Sequence, residues 1–365
     1  MRILQVMNYP QTDYLKYKDS GRMDLYHDSL GMCYEYLIDQ GHDVMWYVPK
    51  CETSFQRFLG KLLHLYPAAI GQLNIWKVAK DYDAIYCPLD NRYFIIGIYK
   101  ALGLIKIPVL CMSHSSLNTS DVTSKVEKVF LKIERHFLYK YFDRILFASR
   151  CFLERALMDF KVPERHQNVA HWGGETEFYY SKKTTPSYYL AIGQAKRDFP
   201  TLVAAFEKMP DKQLKILARG EAVLKSINRD RLPNNVEIIS NDNDIEHWMR
   251  MREIYAGAKA TLIAITSNHH FACGSTVLVE SLAAATPVFI SNVANTFVDV
   301  EKERIGKKVG LFDVDGWVRT INDFESRPEI ADEYSKNARK LAEEQYNYKL
   351  SCGIIEKELY KLTGK

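Results

Sequence analysis

Short, continuously apolar runs alternate along this chain with longer stretches whose apolar positions recur at helical spacing. Residues 3–7, 43–48, 84–87, 109–112 and 145–148 are too short for helices and read as buried strands. Between them, 25–40 has helical spacing and stops at Gly41, a residue suited to closing a helix. The stretch 124–141 reads as an amphipathic helix. It sets Val126, Val129, Phe130, Ile133 and Phe137 on one face, with Lys125, Lys128, Lys132 and Arg135 around the rest. Strands without alternation, separated by helices, predict a parallel sheet covered on both faces.

The pattern then restarts. The polar, proline-containing stretch 179–188 reads as a linker. Strands are expected at 189–192, 214–217, 236–239, 260–265 and 287–290, and helices at 200–208, 245–256, 280–285, 328–344 and 350–362. The expected fold is therefore α/β: two Rossmann-like, doubly wound domains facing across a cleft. The first spans 1–180 and the second 181–344, while 345–365 form a helix that packs back on the first. Ligands of such sheets sit at the carboxyl ends of the strands.

The 365 residues are enough for two domains, and 47% hydrophobic with 26% charged residues is ordinary for globular cores. A net charge of +4 suits anionic substrates or an anionic membrane surface, but falls short of a nucleic-acid footprint. Seven widely spaced cysteines without a CxxC predict free thiols in a reducing compartment. The opening MRILQVMNYP reads as a first strand rather than a leader. The longest apolar stretch, 93–112, is broken by Lys100, Lys106 and Pro108, so no membrane span is expected. A cytoplasmic protein is the expectation.

The densest constellation is Gly274-Ser275-Thr276-Val277-Leu278-Val279-Glu280-Ser281-Leu282-Ala283-Ala284-Ala285-Thr286-Pro287-Val288. Its Gly-Ser-Thr turn opens a helix, whose unpaired N–H groups and partial positive charge suit a phosphate. Glu280, in the second turn, can accept hydrogen bonds from two adjacent hydroxyls such as a ribose diol. This run resembles the donor-site signature of glycosyltransferase family four and its GT-B relatives. The resemblance implies that Glu280 holds the nucleotide ribose and that Thr286-Pro287-Val288 enters the next strand. Many members carry a second Glu eight residues earlier; here Ala272 stands there, leaving Asn268, His269 and His270 as substitutes for its contact with the donor sugar.

Further segments follow the family in order, over most of 84–320. Leu190-Ala191-Ile192-Gly193 and the following Lys196-Arg197-Asp198 resemble the first strand and loop of the donor domain. In relatives a basic residue directly follows that glycine; here it is Gln194, so Lys196 and Arg197 are the candidates for neutralising a diphosphate. Arg219-Gly220 stands at a glycine-rich turn, and Met112-Ser113-His114 at a strand end whose histidine faces the reacting centre. His171-Trp172-Gly173-Gly174-Glu175 stands where relatives have an Asn-Gly turn. The resemblance implies a glycosyltransferase that moves a sugar from a nucleotide-sugar to a glycan or lipid-linked acceptor in cell-surface polysaccharide synthesis, with retention of configuration and no cofactor. His114 is the catalytic candidate. The donor-binding candidates are Gly193, Lys196, Arg197, Arg219, Asn268, His270, Gly274, Ser275, Thr276 and Glu280.

No metal is expected. Asp242-Asn243-Asp244 and Asp313-Val314-Asp315 match a short pattern that arises by chance, and adjacent histidines rarely share one ion. The basic helix 124–141 and the apolar, basic stretch 55–76 motivate a peripheral contact with anionic membrane; a solvated basic face is the plainer alternative. A GT-B nucleotide-sugar epimerase and a non-catalytic glycosyltransferase-like subunit remain open. An oxidoreductase is disfavoured, because Asn8-Tyr9-Pro10-Gln11-Thr12 after the first strand carries no GxGxxG.

Overall fold

The computed structural model describes all residues except 52, 63–66, 89–92, 115–124, 180–184, 194–195, 219–225, 229–230, 240–246, 267–272 and 294–295. The chain divides into two compact units. Unit 1 holds Met1–Gly21, Asp28–His171 and Lys349–Lys365; unit 2 holds Arg22–His27 and Trp172–Tyr348.

Unit 1 is built on a six-stranded sheet in the order β2-β1-β3-β4-β5-β6, with every neighbouring pair parallel. Its strands are β1 (Arg2–Val6), β2 (Asp43–Tyr47), β3 (Ala84–Cys87), β4 (Val109–Ser113), β5 (Arg144–Phe147) and β6 (Asn168–Val169). All four residues of β3 and all five of β4 are buried, as parallel strands covered on both faces require. The last segment of the chain packs here as well. Glu356 meets His42 Nε2 at 2.9 Å, and Arg144 lies 2.8 Å from Glu358.

Two expectations for this unit fail. The helix over 25–40 is broken into short turns, Met23–Leu25 and Asp28–Leu30, before a six-residue helix, Tyr34–Asp39. Met32 and Cys33 adopt left-handed φ values of 52° and 71°, which no helix continues through. Asp28 competes for the backbone instead: its carboxylate accepts from the N–H groups of Glu35 at 3.1 Å and Tyr36 at 3.2 Å, capping the short helix.

The helix Lys125–Tyr141 is also rotated from its expected setting. It turns Leu131, Glu134, Arg135 and Leu138 inward, while Val129 and Ile133 are 58% and 45% exposed. Phe137, from the expected inward face, does pack on the neighbouring helix Phe94–Ala101, with the Phe94 and Phe137 rings 5.4 Å apart. A Cβ at Gly97 of that helix would stand 3.2 Å from the Phe137 Cβ, so the glycine lets the two helices approach closely there.

His166 is fully buried between two backbone groups. Its Nδ1 accepts from the Ile145 N–H at 3.1 Å, and its Nε2 faces the Tyr139 carbonyl at 3.0 Å. Only the neutral ring satisfies both, and burial lowers its pKa from 6.5 to about 4. The unfolded chain therefore binds the extra proton first. Stability is expected to be full above pH 6.5 and to fall as pH drops toward about 4. His166→Asn, which keeps an acceptor for Ile145, should flatten that slope in denaturant titrations across the same window. An unchanged slope would mean that His166 does not set it.

Unit 2 carries a second six-stranded parallel sheet, in the order β12-β11-β10-β7-β8-β9. Its strands are β7 (Tyr188–Gly193), β8 (Leu214–Ala218), β9 (Val236–Ile238), β10 (Ala258–Ile263), β11 (Val288–Ser291) and β12 (Gly306–Val309). Counting from β7, this is the order 3-2-1-4-5-6 of dinucleotide-binding sheets, and it reverses between β7 and β10. Phe199, Phe206, Phe289 and Trp317 are nearly fully buried in the core that supports it. The stretch expected as a linker begins inside this unit, since Tyr179 is buried and rings with Tyr255 at 5.4 Å.

Candidate functional site

Strand order reverses between β7 and β10, and several sequence-predicted residues gather at the carboxyl ends of these strands. β7 ends at Gly193. A Cβ on Gly193 would stand 2.3 Å from Arg197 Nε, so only glycine lets this side chain pass. The chain then folds back through Lys196, whose φ of 57° is left-handed. The Thr266 N–H donates to the Lys196 carbonyl at 3.1 Å, and Arg197 forms a short bridge with Ile265. This turn separates the two cations: Lys196 points to solvent, and Arg197 is buried. Asp198 then caps the helix Phe199–Glu207, accepting from the Thr201 N–H at 3.3 Å, with Pro200 in the first turn.

Arg197 Nε donates to the Ile192 carbonyl at 3.0 Å, which aims the guanidinium across the strand end. Its other end lies by Gly274, where a Cβ would be 3.7 Å from an Arg197 terminal nitrogen. Burial lowers the Arg197 pKa, while the Cys273 thiol and Tyr255 phenol pull the other way; from 12.5 the group stays charged at neutral pH.

Gly274 is the N-cap of the helix Ser275–Ala283, with φ of 87° and no side-chain cap. A Cβ there would meet Ile263 at 2.5 Å. Ser275 and Thr276 occupy the first turn instead of capping it, so backbone N–H groups present the positive end of the helix. A guanidinium and a helix N-terminus thus converge on one spot at the strand ends. Two like-signed features set together create a positive potential that an anion relieves.

Glu280 is on the same helix and is 6% exposed. The Tyr255 hydroxyl donates to its Oε2 at 2.7 Å. The Tyr179 hydroxyl lies beside the same carboxylate, outside standard hydrogen-bond geometry. Burial, and then the Glu280 charge, push both phenols well up, so both stay neutral. His27, in unit 2, completes the surround: Nδ1 meets Glu175 Oε1 at 3.0 Å, and burial lowers its pKa from 6.5 to about 4 despite the nearby Glu280. Sequence reasoning missed His27, Tyr179 and Tyr255 as partners of Glu280. A polar residue at each of three distant positions carries no local signal.

His114 lies in unit 1, at the carboxyl end of β4, where its Nε2 meets the Pro88 carbonyl at 2.9 Å. Arg219, Asn268, His269, His270 and Ala272 lie outside the described residues, as do Gln194, Asp242 and Asp244. Asp313 of the other Asp-x-Asp match caps the helix Val314–Glu325, accepting from the Gly316 N–H at 2.7 Å. Asp315 pairs with Lys208 at 2.7 Å, so this pair is engaged in structural contacts. No group of three metal-ligating side chains occurs among the described residues. No helix among them is long and apolar enough to cross a membrane.

No family model matches the sequence, and no curated protein matches it. Solved structures do match. The HepE protein of Anabaena, in complex with UDP and glucose, superposes with a TM-score of 0.68 at 14% identity, covering 98% of this chain and 99% of that one. Sucrose-phosphate synthase of Thermosynechococcus elongatus gives a TM-score of 0.68 at 16% identity, covering 100% and 99%. A UDP-N-acetylglucosamine 2-epimerase gives 0.56 at 11% identity, covering 100% and 97%. These likenesses establish the GT-B fold expected from the sequence.

Proposed function

We propose that the chain is a glycosyltransferase that takes its sugar from a nucleotide-sugar, binding the donor at the strand-order reversal of unit 2. The observation that carries this reading is the convergence of Gly193, Arg197 and the uncapped Gly274–Thr276 turn on one point at the ends of β7 and β10. A departing nucleoside diphosphate gains negative charge as the glycosidic bond breaks. Arg197 and the helix N-terminus are preorganised to stabilise it, so the reaction needs no divalent ion. Lys196, exposed beside the turn, adds charge from the solvent side. Glu280, steadied by Tyr255, accepts hydrogen bonds from the ribose hydroxyls.

HepE binds UDP and UDP-glucose, which makes uridine the first base to test. Unit 1 takes the acceptor, a glycan or lipid-linked saccharide in cell-surface polysaccharide synthesis, with His114 as its catalytic residue and retention of configuration. Work on a lipid-linked acceptor places the chain on the cytoplasmic side of an anionic membrane, held peripherally.

Thermal-shift titration with UDP, GDP, ADP and CMP, with EDTA and with manganese, tests the reading. A stabilising shift with one nucleotide, unchanged by EDTA, is expected. No shift with any of them, or a shift that needs manganese, would refute it. In the same assay Glu280→Ala should weaken binding by about 1–3 kcal/mol. Tyr255→Phe separates the ribose role from a packing role: if both variants lose stability but neither loses nucleotide affinity, Glu280 only packs against Tyr255. The epimerase of the same fold supplies the second reading. Donor epimerisation in the absence of any acceptor would favour it.

A further inference from the structure

The rotation of the helix Lys125–Tyr141 leaves an exposed face of unusual composition. At 100° per residue, Lys125, Val129, Lys132, Ile133, His136 and Lys140 fall within an arc of about 100°, and all six are exposed. Four can carry positive charge, two are bare aliphatics, and none is acidic. A solvated helix face keeps aliphatics inward; this one turns Glu134 and Arg135 inward and Val129 and Ile133 outward.

Beside that face lies a cavity of about 590 Å³, lined by Lys132, His136 and Lys140 from the helix and by Lys161 and Arg165 from the segment that follows the helix Arg150–Asp159. Arg165 is fixed by donating to the carbonyls of Tyr139 and Lys140 at 2.8 and 2.9 Å. The one carboxylate of the lining, Asp159, is paired with Arg155 at 3.4 Å, so the cavity keeps its positive excess. Met158, just before the lining residues Asp159 and Phe160, is 76% exposed.

The geometry points to a membrane-docking site on unit 1: the cavity receives the phosphate of an anionic lipid headgroup, while Val129, Ile133 and Met158 enter the interfacial layer of the same bilayer. Charge complementarity selects the occupant. Cations alone would suit a free phosphate, but a basic cavity beside a helix face that exposes aliphatics matches a surface that offers phosphates and acyl chains together. The inference rests on the peripheral membrane contact proposed above and gives it a location distinct from the donor site.

Flotation of the full chain with vesicles of phosphatidylcholine, alone or mixed with phosphatidylglycerol, tests it. Binding is expected only to the mixed vesicles and should fade with added salt. Joint replacement Lys132→Glu, Lys140→Glu and Lys161→Glu should weaken it by more than about a hundredfold, since three lost basic charges alone remove about fivefold each. Val129→Ser with Ile133→Ser and Met158→Ser should weaken what persists at high salt. If the charge reversals impair folding, the glutamine versions provide the same comparison. Absence of binding, equal binding to both vesicles, or wild-type binding by the charge variants overturns the proposal. So does binding of glycerol phosphate at the cavity without vesicle attachment, which would make the ligand a soluble phosphate. Nucleotide thermal shifts on the same preparations report on unit 2, so loss of docking and loss of the donor reading are separable.

Discussion

Arg197→Met is expected to lower affinity for the cognate nucleoside diphosphate by about two orders of magnitude while leaving a folded protein. Hydrogen bonds to a charged partner are worth about 1.5–3 kcal/mol, and truncating one side of a buried charge pair costs about 2–5 kcal/mol. A loss near 3 kcal/mol corresponds to roughly a hundredfold or somewhat more. Methionine matches the arginine stem as far as the Nε position, so it fills most of the space under Gly193 and packing there changes little. The Ile192 carbonyl loses its donor, which adds a stability cost of about 1–3 kcal/mol. Arg197→Lys retains the charge but not the fork that spans from Ile192 to Gly274, so it should restore only part of the affinity. Lys196→Met, at an exposed position, should cost less than fivefold, within about 1 kcal/mol. Calorimetric titration of the three variants checks the order. Equal affinities for wild type and Arg197→Met would reduce this guanidinium to a brace for the β7 carbonyl and leave the helix N-terminus as the main anion ligand.

That ordering of two adjacent cations shows where sequence reading stops. The run after Gly193 identifies Lys196 and Arg197 as equivalent candidates, because spacing alone does not say which side chain faces in. The left-handed turn at Lys196 and the bridge to Ile265 decide it, and both depend on a strand far along the chain. Glu280 shows the same division. Its helix follows from a local motif, yet Tyr255, which donates to it, and Tyr179, which lies beside it, come from two other segments.

The two parallel sheets were legible because strands covered on both faces are apolar throughout, so β3, β4, β7 and β10 stand out against their polar surroundings. The two-residue β6 and β12, with its lysines at 307 and 308, lack that contrast and were not foreseen. Helical periodicity misled twice. In 25–40 a carboxylate captured the backbone, and in 124–141 packing turned Glu134 and Arg135 inward and left Val129 and Ile133 outward. Both are tertiary choices that a one-dimensional pattern does not encode.

The second large effect is expected at Gly174, part of the His171–Glu175 motif. Its Cβ position is 2.3 Å from the Val279 carbonyl oxygen and 2.8 Å from the Ala283 Cβ. Val279 and Ala283 belong to the helix that begins at the anion site, and Glu280 is the next residue. At Gly173 a Cβ would fall 2.4 Å from the Asn347 carbonyl carbon. The pair is also tied by hydrogen bonds: the Gly174 N–H donates to the Tyr346 carbonyl at 2.9 Å, and the Tyr348 N–H to the Gly174 carbonyl at 3.0 Å. Backbone atoms cannot rotate away as a side chain can, so Gly174→Ala must push the strap off the helix or the helix off its sheet. Overpacking of this kind costs about 1–3 kcal/mol and often more where backbone is the obstacle. A cost near 3 kcal/mol lowers the melting temperature of a domain of this size by about 6–12 °C. Because the displaced turn carries Glu280, nucleotide affinity should fall with stability in Gly174→Ala. By contrast Gly103→Ala, where no atom lies within 4 Å, should show only the strain of its φ of 70° and leave nucleotide affinity intact. A Gly174→Ala protein with wild-type melting and wild-type affinity would mean that the strap does not bear on the helix as described.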